Sequence, residues 1–240
     1  MLRTIIDMIY PARCPICGEI VIPRGRLICK ACEDKPSLVT EPRCKKCSKP
    51  IELEEKEYCS DCERRCFHYD YGFSVWVYDD VMKQSIANFK YQNKKEYAAY
   101  YTSEILKNYG DRIQRLQPDA VVPVPVHISK YIERGYNQAD ILARGIGKEL
   151  QIPVLSDLLL RTKKTLPQKK LDDKERLRNL MEAFQLNDKL ADTYPNKLSR
   201  VLLVDDIYTT GSTLEACTNV LKSNGIKEVY FIVLCIGKGY

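Results

Sequence analysis

The 240-residue sequence lacks an apolar run long enough to cross a membrane. Its longest uncharged apolar stretches, such as VYFIVLCIG near the C-terminus, have the length of a strand, whereas a spanning helix needs about 20 residues. The first residues, MLRTIIDMIYPARC, also lack a small-residue cleavage pattern, and Asp7 interrupts their apolar stretch. We therefore expect no membrane insertion and no signal peptide, but a short packed helix at the N-terminus.

A strong excess of one charge is also missing. The chain has 38 Lys and Arg residues against 32 Asp and Glu residues, which gives a net charge of +6. This value mildly favours anionic partners but is far below the charge density of a dedicated nucleic-acid-binding tail. With 45% hydrophobic and 29% charged residues the composition is ordinary, and the chain is long enough for one sizeable core plus a small module.

Cysteine, by contrast, is abundant and unevenly distributed. Nine of the eleven cysteines precede residue 67, and without an export signal disulfides are not the expected explanation. Eight of the nine form the pattern C-x2-C-x11-C-x2-C twice, thirty residues apart: Cys14, Cys17, Cys29 and Cys32, then Cys44, Cys47, Cys59 and Cys62. Four thiolates form a tetrahedral zinc site, and two C-x2-C turns close it. The pattern predicts a double zinc ribbon with two structural zinc ions.

The cysteine-rich region leaves some alternatives open. The repeat favours two sequential zinc sites, but a cross-braced pairing would use the same eight cysteines. Cys66 is left over, and we interpret it as a free thiol rather than a ninth ligand. Basic side chains cluster in two places and could contact nucleic acid, although a solvated charged face is the simpler interpretation. These side chains are Arg24 and Arg26, then Arg43, Lys45, Lys46 and Lys49.

From Tyr71 onward the sequence alternates between strand and helix patterns. The strand stretches are YGFSVWVY, AVVPVPV, EAFQL, RVLLVDDI and EVYFIVLCIG, and VLSDLLLR reads as extended chain. Helical spacing follows the capping candidates Asp79 and Asp80, and recurs in EYAAYYTSEILKNY, NQADILARGIGKEL and STLEACTNVLKSNG. The alternation predicts an α/β fold, a mostly parallel sheet with helices on both faces. We expect a zinc-ribbon domain over residues 1–67 and an α/β domain over residues 68–240.

The stretch VLLVDDIYTTGST places two carboxylates beside a turn suited to an anion. In an open α/β sheet, ligands bind at the carboxyl ends of the strands, where Asp205 and Asp206 follow a buried strand. Gly211 permits a close turn, and backbone N–H groups at a helix start hold phosphate without a lysine. A carboxylate accepts hydrogen bonds from a sugar diol. The residues therefore indicate a site for a ribose 5-phosphate.

This stretch resembles the 5-phosphoribosyl-1-diphosphate (PRPP) motif of type I phosphoribosyltransferases. The resemblance implies that Asp205 and Asp206 bind the ribose hydroxyls. It further implies a phosphate cradle made of Thr209, Thr210, Gly211, Ser212 and Thr213. Magnesium would accompany PRPP, because a hard cation binds diphosphate and ribose oxygens.

Three more stretches resemble the ComF family of competence proteins, and the resemblance covers essentially the whole chain. They are FKYQNKKEYA, VPVPVHISKYIERGYNQA and RTKKTLPQKKLDDKERLRNLMEAF, in this order after a cysteine-rich start. Residues 123–127 fall at the pyrophosphate-side loop of the family. Its KY and RGxNQA patterns match Lys90, Tyr91, Arg134, Gly135, Asn137 and Gln138, and its hood-loop pattern matches Thr165, Gln168, Arg176 and Asn179. The resemblance implies a catalytic role for Arg134, together with Asp205 and Asp206. It implies ligand contacts for the other residues of the KY and RGxNQA patterns, namely Lys90, Tyr91, Gly135, Asn137 and Gln138.

The family resemblance implies a type I phosphoribosyltransferase-like fold and a role in natural competence and DNA uptake. It implies single-stranded DNA as a ligand, a helicase-like competence protein as a partner and a cytoplasmic location, with recruitment to the inner face of the membrane left open. The basic segment from Arg161 to Arg178 is a candidate for the DNA contact, and a solvated loop is its alternative. Three functions compete: transfer of phosphoribosyl to an unknown acceptor, a non-catalytic nucleotide- and DNA-binding adaptor, and nucleotide salvage.

Overall fold

The computed structural model describes residues 11–162, 182–187, 189 and 198–238. Several sequence-based expectations lie outside these residues. They are the N-terminal helix over residues 1–10, the matches at Thr165, Gln168, Arg176 and Asn179, and most of the basic segment that begins at Arg161.

Apart from two short helices, the first and the fourth, the elements follow one another in the order that the sequence predicts. They are α1 (Ser60–Arg64), β1 (Tyr71–Val77), α2 (Asp80–Tyr91), α3 (Tyr97–Leu116), β2 (Ala120–Pro123), α4 (Ile128–Arg134), α5 (Gln138–Leu150), β3 (Leu159–Arg161), β4 (Phe184–Leu186), β5 (Arg200–Tyr208), α6 (Ser212–Ser223) and β6 (Glu228–Ile236), with a 3-10 turn at Lys30–Cys32.

Four strands form one parallel sheet in the order β1-β6-β5-β2. The strands β3 and β4 form a separate antiparallel hairpin, with Leu159 opposite Leu186. The expectation of a mostly parallel sheet is confirmed. The predicted strand AVVPVPV ends early, at Pro123, because Pro123 and Pro125 have no N–H group to donate to a ladder.

Each face of the sheet packs against its own layer. On one face, α2, α3 and α5 surround alternate strand residues such as Leu202, Val204 and Ile232. On the other face, α6 and the β3–β4 hairpin pack on the intervening residues, such as Leu203 and Val233. This two-sided burial explains why β5 and β6 read as continuous apolar runs.

Local signals explain where the helices begin. The Asp79 side chain accepts the N–H of Met82 at 2.9 Å and starts α2, as the sequence predicts. His127 caps α4, where its Nδ1 accepts the Ser129 N–H at 3.2 Å. Helix α4 was not expected from the sequence, because it has only seven residues and its apolar side chains are exposed.

Both edges of the parallel sheet are covered. The segment between the two cysteine clusters runs antiparallel to β1, where the Val39 N–H donates to Val75 O and the Val77 N–H donates to Ser37 O. At the other edge, Val154 pairs with Val121 of β2. An exposed sheet edge is a template for aggregation, and this chain uses its own segments to cover both. Among the described residues, the helices are all too short or too polar to span a bilayer.

Candidate functional site

The carboxyl end of β5 carries the two adjacent carboxylates. Side chains alternate between the faces of a strand, so Asp205 and Asp206 point to opposite sides of the sheet. Asp206 is buried on the side of α2, and Asp205 is half-buried on the side of α6 and β3. The two carboxylates are therefore neighbours in sequence but lie in different surroundings at the same edge of the sheet.

Asp206 forms an ion pair with the last turn of α2. The Lys90 ammonium lies 2.7 Å from Asp206 Oδ1, and both side chains are largely buried. Burial alone would lower the pKa of Lys90, but the charge of Asp206 and the hydrogen bond to it raise that pKa above its usual value. Asp206 is therefore held in place by a cation, and its carboxyl oxygens can accept hydrogen bonds from hydroxyl groups.

Among the described residues, no cation makes a direct ion pair with Asp205. Its Oδ1 accepts the backbone N–H of Asp206 at 2.8 Å. Burial, and next the negative charge of Asp206, raise the pKa of Asp205 to about 7, although Lys90 and Arg161 act in the opposite direction. Asp205 thus changes its protonation near neutral pH, whereas in an unfolded chain it ionises at ordinary acidic pH.

This raised pKa predicts that Asp205 destabilises the fold as the pH rises. The folded-state pKa lies above the unfolded-state value, so the destabilisation is absent below about pH 4, grows between about pH 4 and 7, and is complete above pH 7. We expect Asp205→Asn to raise Tm by at least about 2 °C at pH 8, since 1 kcal/mol moves Tm by about 2–4 °C at this size. The gain should shrink towards pH 4. Thermal unfolding with exposed Asp111→Asn as control measures it, and a gain that is larger at pH 4 than at pH 8 would contradict the assignment.

The turn between β5 and α6 has the features of an anion cradle. Helix α6 begins at Ser212, and its N-cap residue is Gly211, which offers no side-chain cap to the first N–H groups. The Thr210 and Ser212 hydroxyl oxygens are 3.0 Å apart at the exposed rim. Gly211 has φ of 76°, and a Cβ there would lie 2.7 Å from Cζ of Tyr208, so the turn requires glycine.

Arg134 and Gln138 bring unused hydrogen-bond donors to the same edge. The guanidinium donates to Gln138 Oε1 at 3.0 Å and to the Tyr91 hydroxyl at 3.1 Å, and it stacks 4.9 Å from the centre of the Tyr91 ring. Within the described residues, two buried atoms at this edge have no acceptor: Arg134 Nε and Gln138 Nε2. Buried donors are normally satisfied, so this pair is suited to an anionic ligand.

Gly135 and Asn137 have structural roles that the sequence did not reveal. Gly135 ends α4 with φ of 75°. Asn137 caps α5 by accepting the Ala139 N–H at 3.1 Å, and its amide donates to Val124 O at 3.0 Å. Asn137 therefore holds the loop that follows β2. Gly135 and Asn137 thus determine the backbone conformation beside the site.

A cleft of about 540 Å³ opens between the loop after β2 and the β3–β4 hairpin. Its walls include Val126, Tyr131, Asn137, Leu160 and Arg161. The cleft is large enough for a small molecule or a nucleotide-sized group. It lies beside the carboxylates, because Arg161 is close enough to influence the pKa of Asp205.

The cysteine clusters form as two sequential groups rather than as a cross-braced arrangement. The sulfurs of Cys44, Cys47, Cys59 and Cys62 lie within 4.8 Å of one another. In the first group, Cys14, Cys17 and Cys32 converge in the same way, and Cys29 Sγ lies 3.9 Å from Cys17 Sγ. The eight predicted ligands are therefore brought together as two sets of four.

The ionisation of the four thiols in the second cysteine group is suited to binding a divalent cation such as zinc. Hydrogen bonds from neighbouring thiols hold the pKa of Cys44 well below its usual range, and the same contacts raise the pKa of Cys47. Without a metal, one deprotonated sulfur suppresses ionisation of its neighbours, whereas zinc allows all four to be thiolates.

The basic clusters of the ribbons are largely neutralised by nearby acids. Arg26 pairs with Glu33, Arg43 with Glu41, Lys45 with Glu57 and Lys49 with Asp61. A neutralised cation contributes less to phosphate binding. This pairing favours the solvated-face interpretation of these clusters over a nucleic-acid surface.

The chain matches two family models. The double zinc ribbon domain matches residues 5–63, and the phosphoribosyl transferase domain matches residues 160–239. The second match contains the two aspartates and the turn from β5 into α6 over residues 209–213, the candidate phosphate turn, and the first contains both cysteine groups.

Curated relatives match most of the chain. Competence protein F of Haemophilus influenzae is 30% identical over 226 residues, which cover 90% of this chain and 93% of the relative. Competence protein ComFC of Bacillus subtilis is 28% identical, covering 82% and 79% of the two chains. The DNA utilization protein YhgH of Escherichia coli is 28% identical, covering 94% and 97%.

Proposed function

Because this chain belongs to the ComF family of competence proteins, we propose that it binds PRPP, or a related ribose phosphate, with magnesium at the carboxyl end of β5. One observation carries this proposal: a lysine-paired Asp206 and an uncapped helix N-terminus lie close in sequence at one edge of the sheet. The first group suits a ribose diol and the second suits a phosphate.

Each part of the ligand has a matching group on the protein. The N–H groups at the start of α6, with the hydroxyls of Thr210 and Ser212, would hold the 5′-phosphate. Asp206 would accept the ribose hydroxyls. The unused donors of Arg134 and Gln138 would face the diphosphate, whose charge magnesium would partly neutralise. The chemistry required of these residues is positioning and electrostatic stabilisation, because charge develops at C1 as pyrophosphate leaves.

Two functions use the same site and differ only in the fate of the bound ligand. In the first, the 540 Å³ cleft receives an acceptor and the protein transfers phosphoribosyl to it. In the second, the ligand is bound and not consumed, and the protein is an adaptor in DNA uptake. Nucleotide salvage is a weaker third candidate, since the sequence contains no recognisable base pocket.

We further propose single-stranded DNA and a helicase-like competence protein as partners in the cytoplasm. The names of the relatives, competence proteins and DNA utilization proteins, support this role. The net charge of +6 is compatible with an anionic partner. The ion-paired ribbon clusters make the ribbons weaker candidates for the DNA contact than the segment that starts at Arg161.

Calorimetric titration with PRPP and ribose 5-phosphate, with and without magnesium, tests the proposed ligand. We expect magnesium-dependent binding of PRPP. Thr210→Val should weaken both ligands by about tenfold, since one charge-assisted hydrogen bond contributes about 1.5–3 kcal/mol. The exposed Thr40→Val is the matched control and should leave the affinity unchanged. Absence of binding to the wild-type protein would refute the proposal.

Pyrophosphate release from PRPP then separates enzyme from adaptor. Candidate acceptors should include free bases and single-stranded DNA. Release that depends on an acceptor identifies a transferase, whereas tight binding without release identifies an adaptor.

A further inference from the structure

The second cysteine group and the phosphate turn share one buried cluster. Cys44, Cys47 and Cys59 pack in the same hydrophobic cluster as Tyr69, Tyr208 and the first turn of α6. The Tyr69 and Tyr208 hydroxyl oxygens are 2.8 Å apart, and the two side chains are 0% and 1% exposed. A buried hydroxyl pair of this kind has no water to replace a lost partner.

Tyr208 is the last residue of β5 and reaches forward under the turn. Its ring occupies the space that a side chain on Gly211 would need, with Cζ 2.7 Å from the position of a Cβ there. The ring also stacks on Phe231, with centroids 5.5 Å apart. The Tyr208 ring therefore packs directly beneath the backbone of the turn and supports it.

The second ribbon contacts the Tyr208 ring through Lys49. Lys49, two residues after Cys47, lies over the Tyr208 ring at 5.9 Å and pairs with Asp61 at 2.6 Å. Asp61 stands between the ligand candidates Cys59 and Cys62. The ribbon therefore fixes the position of Lys49 against the Tyr208 ring.

The segment that leaves the second ribbon is tied to α6 as well. The His68 N–H donates to Glu215 Oε2 at 2.8 Å, and its ring Nδ1 lies 2.5 Å from Glu215 Oε1. Glu215 is only 4% exposed and belongs to the first turn of α6. The ribbon is thus connected to both ends of the turn, through Tyr208 before it and Glu215 after it.

The first cysteine group packs elsewhere. Cys14 and Cys32 belong to the cluster on the opposite face of the sheet, with Trp76 and Tyr100. The chain beside Cys14 is held by Ser85, whose hydroxyl donates to Pro15 O at 2.5 Å. The two ribbons share one sequence pattern, but only the second packs in the same buried cluster as the residues next to the phosphate turn.

We propose that the second ribbon is a positioning element for the phosphate turn, acting through Tyr69 and Tyr208, and that the first ribbon is not. Metal bound at Cys44, Cys47, Cys59 and Cys62 would then be required for full phosphate affinity. Without it, the tyrosine pair loses its support, and the N–H groups of the turn are no longer held in the geometry that binds an anion. The affinity part of this inference rests on the proposed ribose-phosphate site.

Matched cysteine variants of the full-length protein test the inference. Cys62→Ser and Cys32→Ser occupy equivalent repeat positions, and Cys32 is the more buried of the two, so general damage should be greater in the control. We expect Cys62→Ser to speed amide hydrogen exchange of residues 208–213 by about tenfold or more and to weaken ribose 5-phosphate by a similar factor. Cys32→Ser should change both by less than about twofold. Equal effects in the two variants, or unchanged exchange in Cys62→Ser, would overturn the proposal.

Tyrosine variants decide the matter if a cysteine variant does not fold. Tyr69→Phe leaves the Tyr208 hydroxyl without its partner and should weaken ribose 5-phosphate by about three- to tenfold. The double variant Tyr69→Phe with Tyr208→Phe removes both hydroxyls and should recover most of the affinity. Tyr101→Phe removes a buried hydroxyl from the other cluster, where it lies 2.7 Å from the Ser85 hydroxyl, and should have no effect on binding. A single variant that binds like wild type would contradict the inference.

The two proposals fail in different ways. If the wild-type protein does not bind ribose 5-phosphate, the proposed ligand is wrong, and the exchange of residues 208–213 in the free protein still decides whether the second ribbon positions the turn. If wild type binds and the second-ribbon variants bind equally well, the coupling is wrong and the ligand stands.

Discussion

Replacing Asp206 with alanine is expected to reduce the affinity for PRPP by a factor of ten to more than a hundred. Hydrogen bonds between hydroxyl groups and a carboxylate contribute about 1.5–3 kcal/mol each, and about 1.4 kcal/mol is tenfold in affinity. Asp206 is also the partner of Lys90, at 2.7 Å, so its removal leaves a largely buried ammonium without its carboxylate. We therefore expect Asp206→Ala to lower stability as well as affinity.

A second variant separates these two effects. Asp206→Ala combined with Lys90→Met removes both charges, and it should recover stability without recovering the affinity for PRPP. Asp111→Ala, at an exposed acid on α3, is the control for loss of a negative charge. Calorimetry with PRPP and magnesium measures affinity, and thermal unfolding measures stability. Full affinity in Asp206→Ala would show that the ribose hydroxyls bind elsewhere.

Purified protein is expected to contain about two equivalents of zinc, and stripping them should unfold the ribbons. A structural zinc site contributes about 10–16 kcal/mol of apparent binding free energy, which is far more than the small apolar core of a ribbon can supply. Elemental analysis of protein prepared without chelator measures the zinc content. Cys44→Ser and Cys14→Ser should each return about one equivalent.

The remaining cysteines provide the control for the zinc measurement. Cys66 is exposed and lies outside both groups, so Cys66→Ser should keep two equivalents. A wild-type content of one equivalent or none would contradict the two-site assignment. Removal of zinc should also lower the stability of the α/β domain, because the second cysteine group shares a buried cluster with α6.

Local patterns made much of this molecule predictable. The cysteine spacing predicts the eight ligands, because a C-x2-C turn brings its two sulfurs together, whereas the pairing of the turns into two sequential sets comes from the structure. The run RVLLVDDI could be placed as a central strand from its continuous apolar character, and the turn after it from Gly211. These features depend on neighbours in sequence, and they were confirmed.

Contacts between distant residues could not be predicted in the same way. Lys90 and Asp206 are 116 residues apart, and Tyr69 and Tyr208 are 139 apart. Which lysine faces which aspartate depends on how α2 packs on the sheet, and no periodicity encodes that packing. The alternation along β5 separates the roles of Asp205 and Asp206, yet the sequence alone presents them as an equivalent pair.

The strand order has a consequence for how the chain folds during synthesis. The order β1-β6-β5-β2 places the strands made first at the outside and the strands made last between them. While the chain emerges from the ribosome, β1 and β2 cannot pair with their sheet neighbours until residues 200–236 have been made. Until then, each has only the nearby segment that covers its outer edge as a pairing partner. The parallel contact of Tyr71 with Tyr230 closes a loop of nearly the whole domain, and such long-range closure is slow. A chain that stops before β6 contains every residue of the proposed ligand site but lacks the strand that joins β1 to β5.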